Sequence, residues 1–161
     1  MTVDGTLLRS TMANWVSGVA IVTTAIDNVF HGMTISSMLS VSVNPLVMAI
    51  SANCKSRTCS SILSSGYFAI NILAQGQSDI AVLFADKNKQ DERFNGLETS
   101  AASTGAPLIA NCVANIDCSV TDSHVAGDHI IILGTPVKII QTDAQPLVYG
   151  LREFGRFLPD S

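Results

Sequence analysis

One pattern recurs along the whole chain: short runs of β-branched and apolar residues, separated by turns more often than by helices. Gly18 to Ile26 (GVAIVTTAI) is bounded by glycine on one side and Asp27-Asn28 on the other. Pro45 to Ser51 (PLVMAIS) and Tyr67 to Leu73 (YFAINIL) follow. Two long runs, NCVANIDCSVTDSHV and GDHIIILGTPVKIIQTD, flank Ala126-Gly127, and Pro146 to Leu151 ends the series. Runs of this composition and length predict strands. Asp27-Asn28 is turn chemistry that returns Val29 to Ser36 as a hairpin partner. The first run is apolar on both sides, so it predicts a strand buried on much of both faces. Six or seven strands with two or three interrupting helices predict a mainly β fold. A closed or partly closed antiparallel barrel fits this order better than a doubly wound parallel sheet.

Three helices are expected between the strands. Residues 6–16 would form one, with Thr6 as its cap. Ser56 to Ser64 would form a second, ended by Gly66. Residues 75–85 carry Ile80, Ala81, Leu83 and Phe84 at helical spacing and predict a third. Asp86 to Phe94 (DKNKQDERF) is the most charged stretch and reads as a solvated helix or loop. Residues 97–107, rich in Ser, Thr, Gly, Ala and Pro, read as a connecting loop. With 161 residues and no repeat or low-complexity tract, the chain reads as a single domain over 1–161. A domain of that size buries roughly 68–70% of its unfolded surface.

Hydrophobic residues make up 47% of the chain and charged residues only 14%. This shortage of surface charge predicts that a second copy covers part of the exterior, as a homodimer. Net charge is −4, with nine Lys and Arg and no basic stripe, so nucleic acid is excluded as the main partner. The N-terminal residues lack the pattern of a signal peptide, and no run is long enough to cross a bilayer; a cytoplasmic protein without a membrane partner is expected. Cys54, Cys59, Cys112 and Cys118 form no CxxC pair and match no zinc spacing. They read as reduced, mostly buried thiols, with a Cys54/Cys59 redox pair as the sharper alternative. His31, His124 and His129 have no metal-ligand spacing, so no metal site is expected. Neither GxGxxG, GxxxxGK[ST] nor GxSxG occurs.

The stretch with most chemical content runs from His31 to Ile50 (HGMTISSMLSVSVNPLVMAI) into SANCKSRTCSSI. Its polar positions are small hydroxyls: Thr34, Ser36, Ser37, Ser40 and Ser42. Lys55, Ser56, Arg57 and Thr58 stand at the mouth of the predicted second helix. Hydroxyls, free amide N–H groups at a helix start and two cations together suit a phosphate. Each part also has a plainer reading, a half-exposed strand and a helix cap. Paired acid–base residues are missing, as expected where a cofactor supplies the reaction and the protein binds and orients it.

At these segments the chain resembles the flavin reductase-like, FMN-binding split-barrel family, and in particular the short-chain flavin reductase components of two-component monooxygenases. The resemblance is carried in order by WVSGVAIVTT, HGMTISSMLSVSVNP, SGYFAINIL, LFADKNKQDERF, NIDCSV, GDHIIILGTPV and PLVY. Met38 stands where the family often has an aromatic, and Pro45 alone where two prolines are common. The resemblance implies a homodimeric Greek-key split β-barrel. It implies that Met33, Thr34, Ser36 and Ser37 hydrogen-bond the flavin ring edge and ribityl chain, and that Ser51, Ala52 and Asn53 line the same pocket. Ser56 and Thr58, with Lys55 or Arg57, would hold the phosphate. Asn71 would steady the pocket from the next strand, and His129 would lie beside the nicotinamide as an orienting group. The implied activity is NAD(P)H:flavin oxidoreduction, with FMN or FAD as flavin and NADH or NADPH as co-substrate. Reduced flavin would reach a flavin-dependent monooxygenase by diffusion. The alternative is a flavin-binding or electron-transfer split-barrel protein, including a ferric reductase. Arg152 or Arg156 would be the residues available for a 2′-phosphate.

Overall fold

The computed structural model describes residues 3–159. Helix α1 (Gly5–Met12) starts at Asp4, whose carboxylate accepts from the Thr6 and Leu7 amides at 2.9 and 2.8 Å. The cap is therefore Asp4, not Thr6: the carboxylate already satisfies the first-turn donors, and Thr6 falls inside that turn. No residue of α1 is buried.

Strands β1 (Ser17–Gly18), β2 (Ala20–Ile26) and β3 (Val29–Ile35) come next. Asp27 and Asn28 have φ of 50° and 63° between the paired Ile26 and Val29. Two left-handed residues in a two-residue loop match the right-handed twist of a hairpin. Then follow β4 (Met38–Val43), β5 (Leu46–Asn53), α2 (Arg57–Ser65), β6 (Tyr67–Ile72) and α3 (Ser78–Ala85). A short 3₁₀ turn at Lys87–Lys89 leads to β7 (Thr99–Ala101) and β8 (Pro107–Ile109). The long hairpin β9 (Ala114–Ala126) and β10 (His129–Gln141), then β11 (Leu147–Gly150) and β12 (Glu153–Arg156), complete the chain.

Seven strands form one antiparallel sheet in the order β3-β2-β6-β9-β10-β5-β4. The two end strands, β3 and β4, are consecutive in sequence and joined only by Ser36-Ser37. A single buried cluster takes Val22 from β2, Ile35 from β3, Ile50 from β5, Ile70 from β6, Cys118 from β9 and Ile132 from β10, with Met38 of β4 packed against it. Only a sheet curled on itself brings all seven strands to one core, so the sheet is a barrel split between β3 and β4. Cys59 and Ile62 of α2 join the same cluster and stop the barrel.

Adjacent residues of β2, Ile21 and Val22, belong to different clusters, so this strand is buried on both faces as its composition predicts. Ile21 packs outside the barrel with Leu73, Ala81, Phe84, Ile109 and Leu147. Three segments differ from the sequence expectation. β4 is a strand of its own, because the hydroxyl-rich stretch breaks at Ser36-Ser37. Residues 97–107 are not simply a loop: Thr99–Ala101 pairs with β8 as a small sheet. β12 continues β11 after a turn in which Leu151 and Arg152 both have positive φ, a turn without the usual Gly or Asn signal. All four cysteines are free, and only Cys54 is exposed. Burial pushes the Cys112 and Cys118 thiols up to about 12.

Asn71 is fully buried and ties four pieces of backbone together. Its amide donates to the Ile21 carbonyl at 3.0 Å and to Thr23 Oγ1 at 3.1 Å. Its oxygen accepts from the Ile109 amide at 2.9 Å and from Asn115 Nδ2 at 2.7 Å. Asn71→Ala removes these four buried side-chain hydrogen bonds and is expected to cost about 2–5 kcal/mol of stability. Urea unfolding measures it; a loss below about 0.5 kcal/mol would contradict this role.

Candidate active site

Glycine at position 32 decides where α3 lies. A Cβ there would meet the Phe84 ring at 2.8 Å and the Val22 carbonyl oxygen at 3.1 Å. Without one, Phe84 settles onto β3, and Thr34 Oγ1 donates to the Ala81 carbonyl at 2.6 Å. Arg93 closes the arrangement. Its Nη1 donates to the Gly32 carbonyl and its Nη2 to the Asp86 carbonyl at 2.8 Å, with the guanidinium 5.9 Å from the Phe84 ring centre. Arg93 is only 6% exposed, and its Nε has no hydrogen-bond partner among the described residues. Burial, then the nearby Arg57 charge, push its pKa down from the usual guanidinium value. The charged stretch read as solvated therefore has one buried anchor: two carbonyls and an aromatic face hold Arg93 inside.

Between this α3–loop unit and the start of α2 lies a cleft of about 400 Å³. Met33 and Thr34 of β3 form its floor, Asn53, Lys55, Ser56 and Arg57 one wall, and Phe84, Ala85, Lys87, Gln90 and Arg93 the other. Four of these eleven residues are cations and none is an acid. The whole chain has nine Lys and Arg and a net charge of −4, so positive charge is gathered here against the sign of the molecule. Ser56 caps α2: its Oγ accepts from the Cys59 amide at 3.4 Å and donates to the Met33 sulfur at 3.3 Å. The amides of Arg57 and Thr58 have no acceptor among the described residues, so the helix start offers two donors beside the cations. Arg57 Nη2 pairs with Asp91 Oδ1 at 2.7 Å, which holds the Asp91 carboxyl below the usual carboxylate range. His31 flanks this pair, and burial, then Arg57, keep its pKa below the ordinary histidine value.

A second cleft of about 430 Å³ adjoins the first through the shared Thr34 and Ala85. It is lined by Val19, Ile35, Ser36, Ala81 and Val82, and on its far side by Tyr149, Arg152 and Phe154 of the β11–β12 hairpin. The Tyr149 and Phe154 rings pack 5.2 Å apart. The two clefts form one trench, cationic at the α2 end and apolar with an aromatic rim at the other.

Residues 12–157 match the flavin reductase like domain. The chain belongs to this family. It is 37% identical over 161 residues to the actinorhodin polyketide dimerase of Streptomyces coelicolor, covering 96% of this chain and 88% of that protein. It is 28% identical over 161 residues to HsaB, the reductase subunit of a flavin-dependent monooxygenase of Mycobacterium tuberculosis, covering 98% and 85% respectively. Among solved structures, the NADH:FAD oxidoreductase SgcE6 of Streptomyces globisporus, in complex with NAD and FAD fragments, superposes with a TM-score of 0.92 at 28% identity, covering 100% of this chain and 99% of that one.

In this flavin reductase-like chain the trench gathers part of the sequence-predicted set and leaves part outside. Met33, Thr34, Asn53, Lys55, Ser56 and Arg57 line the cationic cleft, and Ser36 lines its neighbour. The Thr34 hydroxyl is already committed to the Ala81 carbonyl. Ser37 and Ser51 lie off the trench wall and bond to each other, with Ser37 Oγ donating to the Ser51 carbonyl at 2.8 Å and the Ser51 amide to the Ser37 carbonyl at 2.9 Å. They extend the β4–β5 pairing by one position beyond Met38 and Ile50. Ala52 points into the barrel core and Thr58 is buried in α2, so neither side chain reaches the cleft. Asn71 is likewise a structural hub and not a pocket wall, because its polar atoms are spent on Ile21, Thr23, Ile109 and Asn115.

His129 pairs directly across from Asn53, so its side chain leaves the sheet on the cleft side. Its Nδ1 lies 2.7 Å from Asp128 Oδ1, and this contact holds the Asp128 carboxyl below the usual range. With Nδ1–H donating to that carboxylate, Nε2 stays open. Sequence reasoning missed Phe84, Lys87, Gln90, Arg93, Tyr149 and Phe154 as lining residues. The Arg-Phe ending of DKNKQDERF was the available signal for Arg93; the aromatic rim had none.

Gly32→Ala sets a methyl against the Phe84 ring and is expected to cost about 1–3 kcal/mol. It should also weaken flavin binding by shifting α3 and Arg93. Urea unfolding and a fluorescence titration with FMN check both, and a variant equal to the parent protein in both would contradict the placement of α3.

Proposed function

We propose that this chain, read as one domain, is an NADH:flavin oxidoreductase that reduces FMN or FAD and releases it to a flavin-dependent monooxygenase. The observation that carries the reading is the trench: four cations and two free helix-start amides at one end, and an apolar, aromatic-rimmed hollow at the other. A flavin has that same polarity, an anionic phosphate tail joined through a ribityl chain to an apolar ring system. The residues present fit the cofactor. Lys55, Arg57, Lys87 and the α2 amides would hold the phosphate, with buried Arg93 adding fixed charge. Ser36 and the β3 main chain would meet the ring edge. When bound, the flavin supplies the hydride acceptor for the nicotinamide of NADH.

The protein's own part is binding, orientation and exclusion of water. His129, held through Nδ1 by Asp128, offers Nε2 on the cleft side and would orient the nicotinamide. No paired acid and base is needed, in keeping with a cleft lined by cations, amides and hydroxyls. The named roles of HsaB and SgcE6 support the choice of coenzyme and of an oxygenase partner. No helix among the described residues is long and apolar enough to cross a membrane.

The functional unit is proposed to be a homodimer. Trp15 is 70% exposed, Leu39 62%, Val43 79% and Val125 77%. Leu39, Val41 and Val43 alternate along β4, an edge strand of the barrel. An apolar edge left open to water invites pairing, and a second copy removes that exposure. Sedimentation equilibrium is expected to give the mass of two chains; a monomer at micromolar concentration would contradict this.

NADH consumption should depend on added FMN or FAD and rise with it. A yellow protein that leaves NADH untouched would favour the flavin-binding, electron-transfer reading instead. His129→Ala is expected to raise the KM for NADH several-fold while leaving the Kd for FMN within about two-fold. Equal loss of both would remove His129 from its orienting role.

A further inference from the structure

Among the described residues, Arg57 is the one cation of the cleft in contact with a carboxylate. Its Nη2 lies 2.7 Å from Asp91 Oδ1, and no acid lines the cleft itself. Asp91 stands on the turn that follows the 3₁₀ segment, between Gln90 and Arg93, both of which line the cleft. The Asp91 side chain is 87% exposed, while Arg57 is 47% exposed. Asp91 thus reaches Arg57 from the solvent side, on the same guanidinium that the proposed phosphate would use. Lys55, Lys87 and Arg93 have no ion-pair partner among the described residues.

We propose that Asp91 is a built-in competitor for the phosphate tail: it holds Arg57 when the cleft is empty and yields it when a phosphate enters, so it sets how readily flavin leaves. The inference rests on the flavin reading of the same site and deepens it. A carboxylate and a phosphate both offer oxygen acceptors to a guanidinium, so Asp91, through its single bond to Nη2, competes with a phosphate for that donor and offsets part of the Arg57 charge. An exposed ion pair is weak enough for this exchange: pairs of this kind are worth a factor of about two to five in an equilibrium constant. A buried pair would lock the cleft, and no pair would leave four cations to retain the product. A reductase that must hand its product to another enzyme is served by the intermediate case.

The test is Asp91→Asn, which keeps the shape of an exposed side chain and removes its charge. Titrations with FMN, riboflavin and inorganic phosphate are run on the parent and the variant, with stopped-flow release of FMN. The expected result is FMN and phosphate binding about two- to five-fold tighter, slower FMN release and unchanged riboflavin affinity. In Arg57→Ala, adding Asp91→Asn should change nothing further. Unchanged or weaker FMN and phosphate binding in Asp91→Asn would overturn the proposal, weaker binding meaning that the pair braces the loop. Phosphate that binds tighter to the variant, with no saturable FMN binding to either protein, would keep Asp91 as competitor and remove the flavin reading. If neither FMN nor phosphate binds the parent protein, both fall.

Discussion

Phe84 rests on β3 where Gly32 has no side chain, and Arg93 reaches beneath it to the Gly32 carbonyl. On this contact depends the position of α3 and of the turn that follows it, and so one whole wall of the cleft. The opposite wall is set independently, by the Ser56 cap that starts α2 directly after β5. The barrel's part is to hold the two walls at a fixed separation. β3 belongs to both structures: Ile35 joins the core and Met33 packs against it, while Thr34, on the opposite face, bonds the Ala81 carbonyl, and Met33 and Thr34 both reach the cleft floor. Such a strand tolerates little change of register, since a shift by one residue would turn Thr34 into the core and Ile35 out of it.

The electrostatics follow from this packing. Arg93 keeps its charge in a buried place because two carbonyls and an aromatic face replace the lost water. Lys55, Arg57 and Lys87 remain exposed at the cleft mouth, where they stay hydrated. The site therefore combines one buried charge with three exposed ones, inside a protein of net negative charge. Such a field draws in an anionic ligand without binding it irreversibly.

Much of the fold could be read in the chain. The β-branched runs, the Asp27-Asn28 hairpin turn and the Gly66 stop of α2 are local signals, and the local structure obeys them. β4 was hidden because its alternating residues, Leu39, Val41 and Val43 against Ser40 and Ser42, merge into the hydroxyl-rich stretch, and the break at Ser36-Ser37 carries no Gly or Pro. β7 and β12 are short strands fixed by tertiary pairing rather than composition. At the site, Lys55, Ser56 and Arg57 were visible because the helix cap lies next to them in sequence. Arg93 reads with its charged neighbours as solvated, because its burial depends on the Gly32 carbonyl, distant along the chain, and the Arg-Phe ending of the segment is its one local trace. Asn71 is the opposite case, since a polar residue inside a strand is as consistent with a hydrogen-bond hub as with a residue that steadies a pocket. Family likeness led to the pocket reading, and the hydrogen bonds place Asn71 with Ile21, Thr23, Ile109 and Asn115 instead.

The central claim is that gathered positive charge and the open start of α2 grip the phosphate end of a flavin. The most direct measurement compares FMN with riboflavin, which lacks that phosphate, across a range of salt concentrations. FMN should bind at least tenfold more tightly at low salt, and the gap should narrow as salt screens the exposed lysines. Equal affinities for the two ligands at every salt concentration would contradict it.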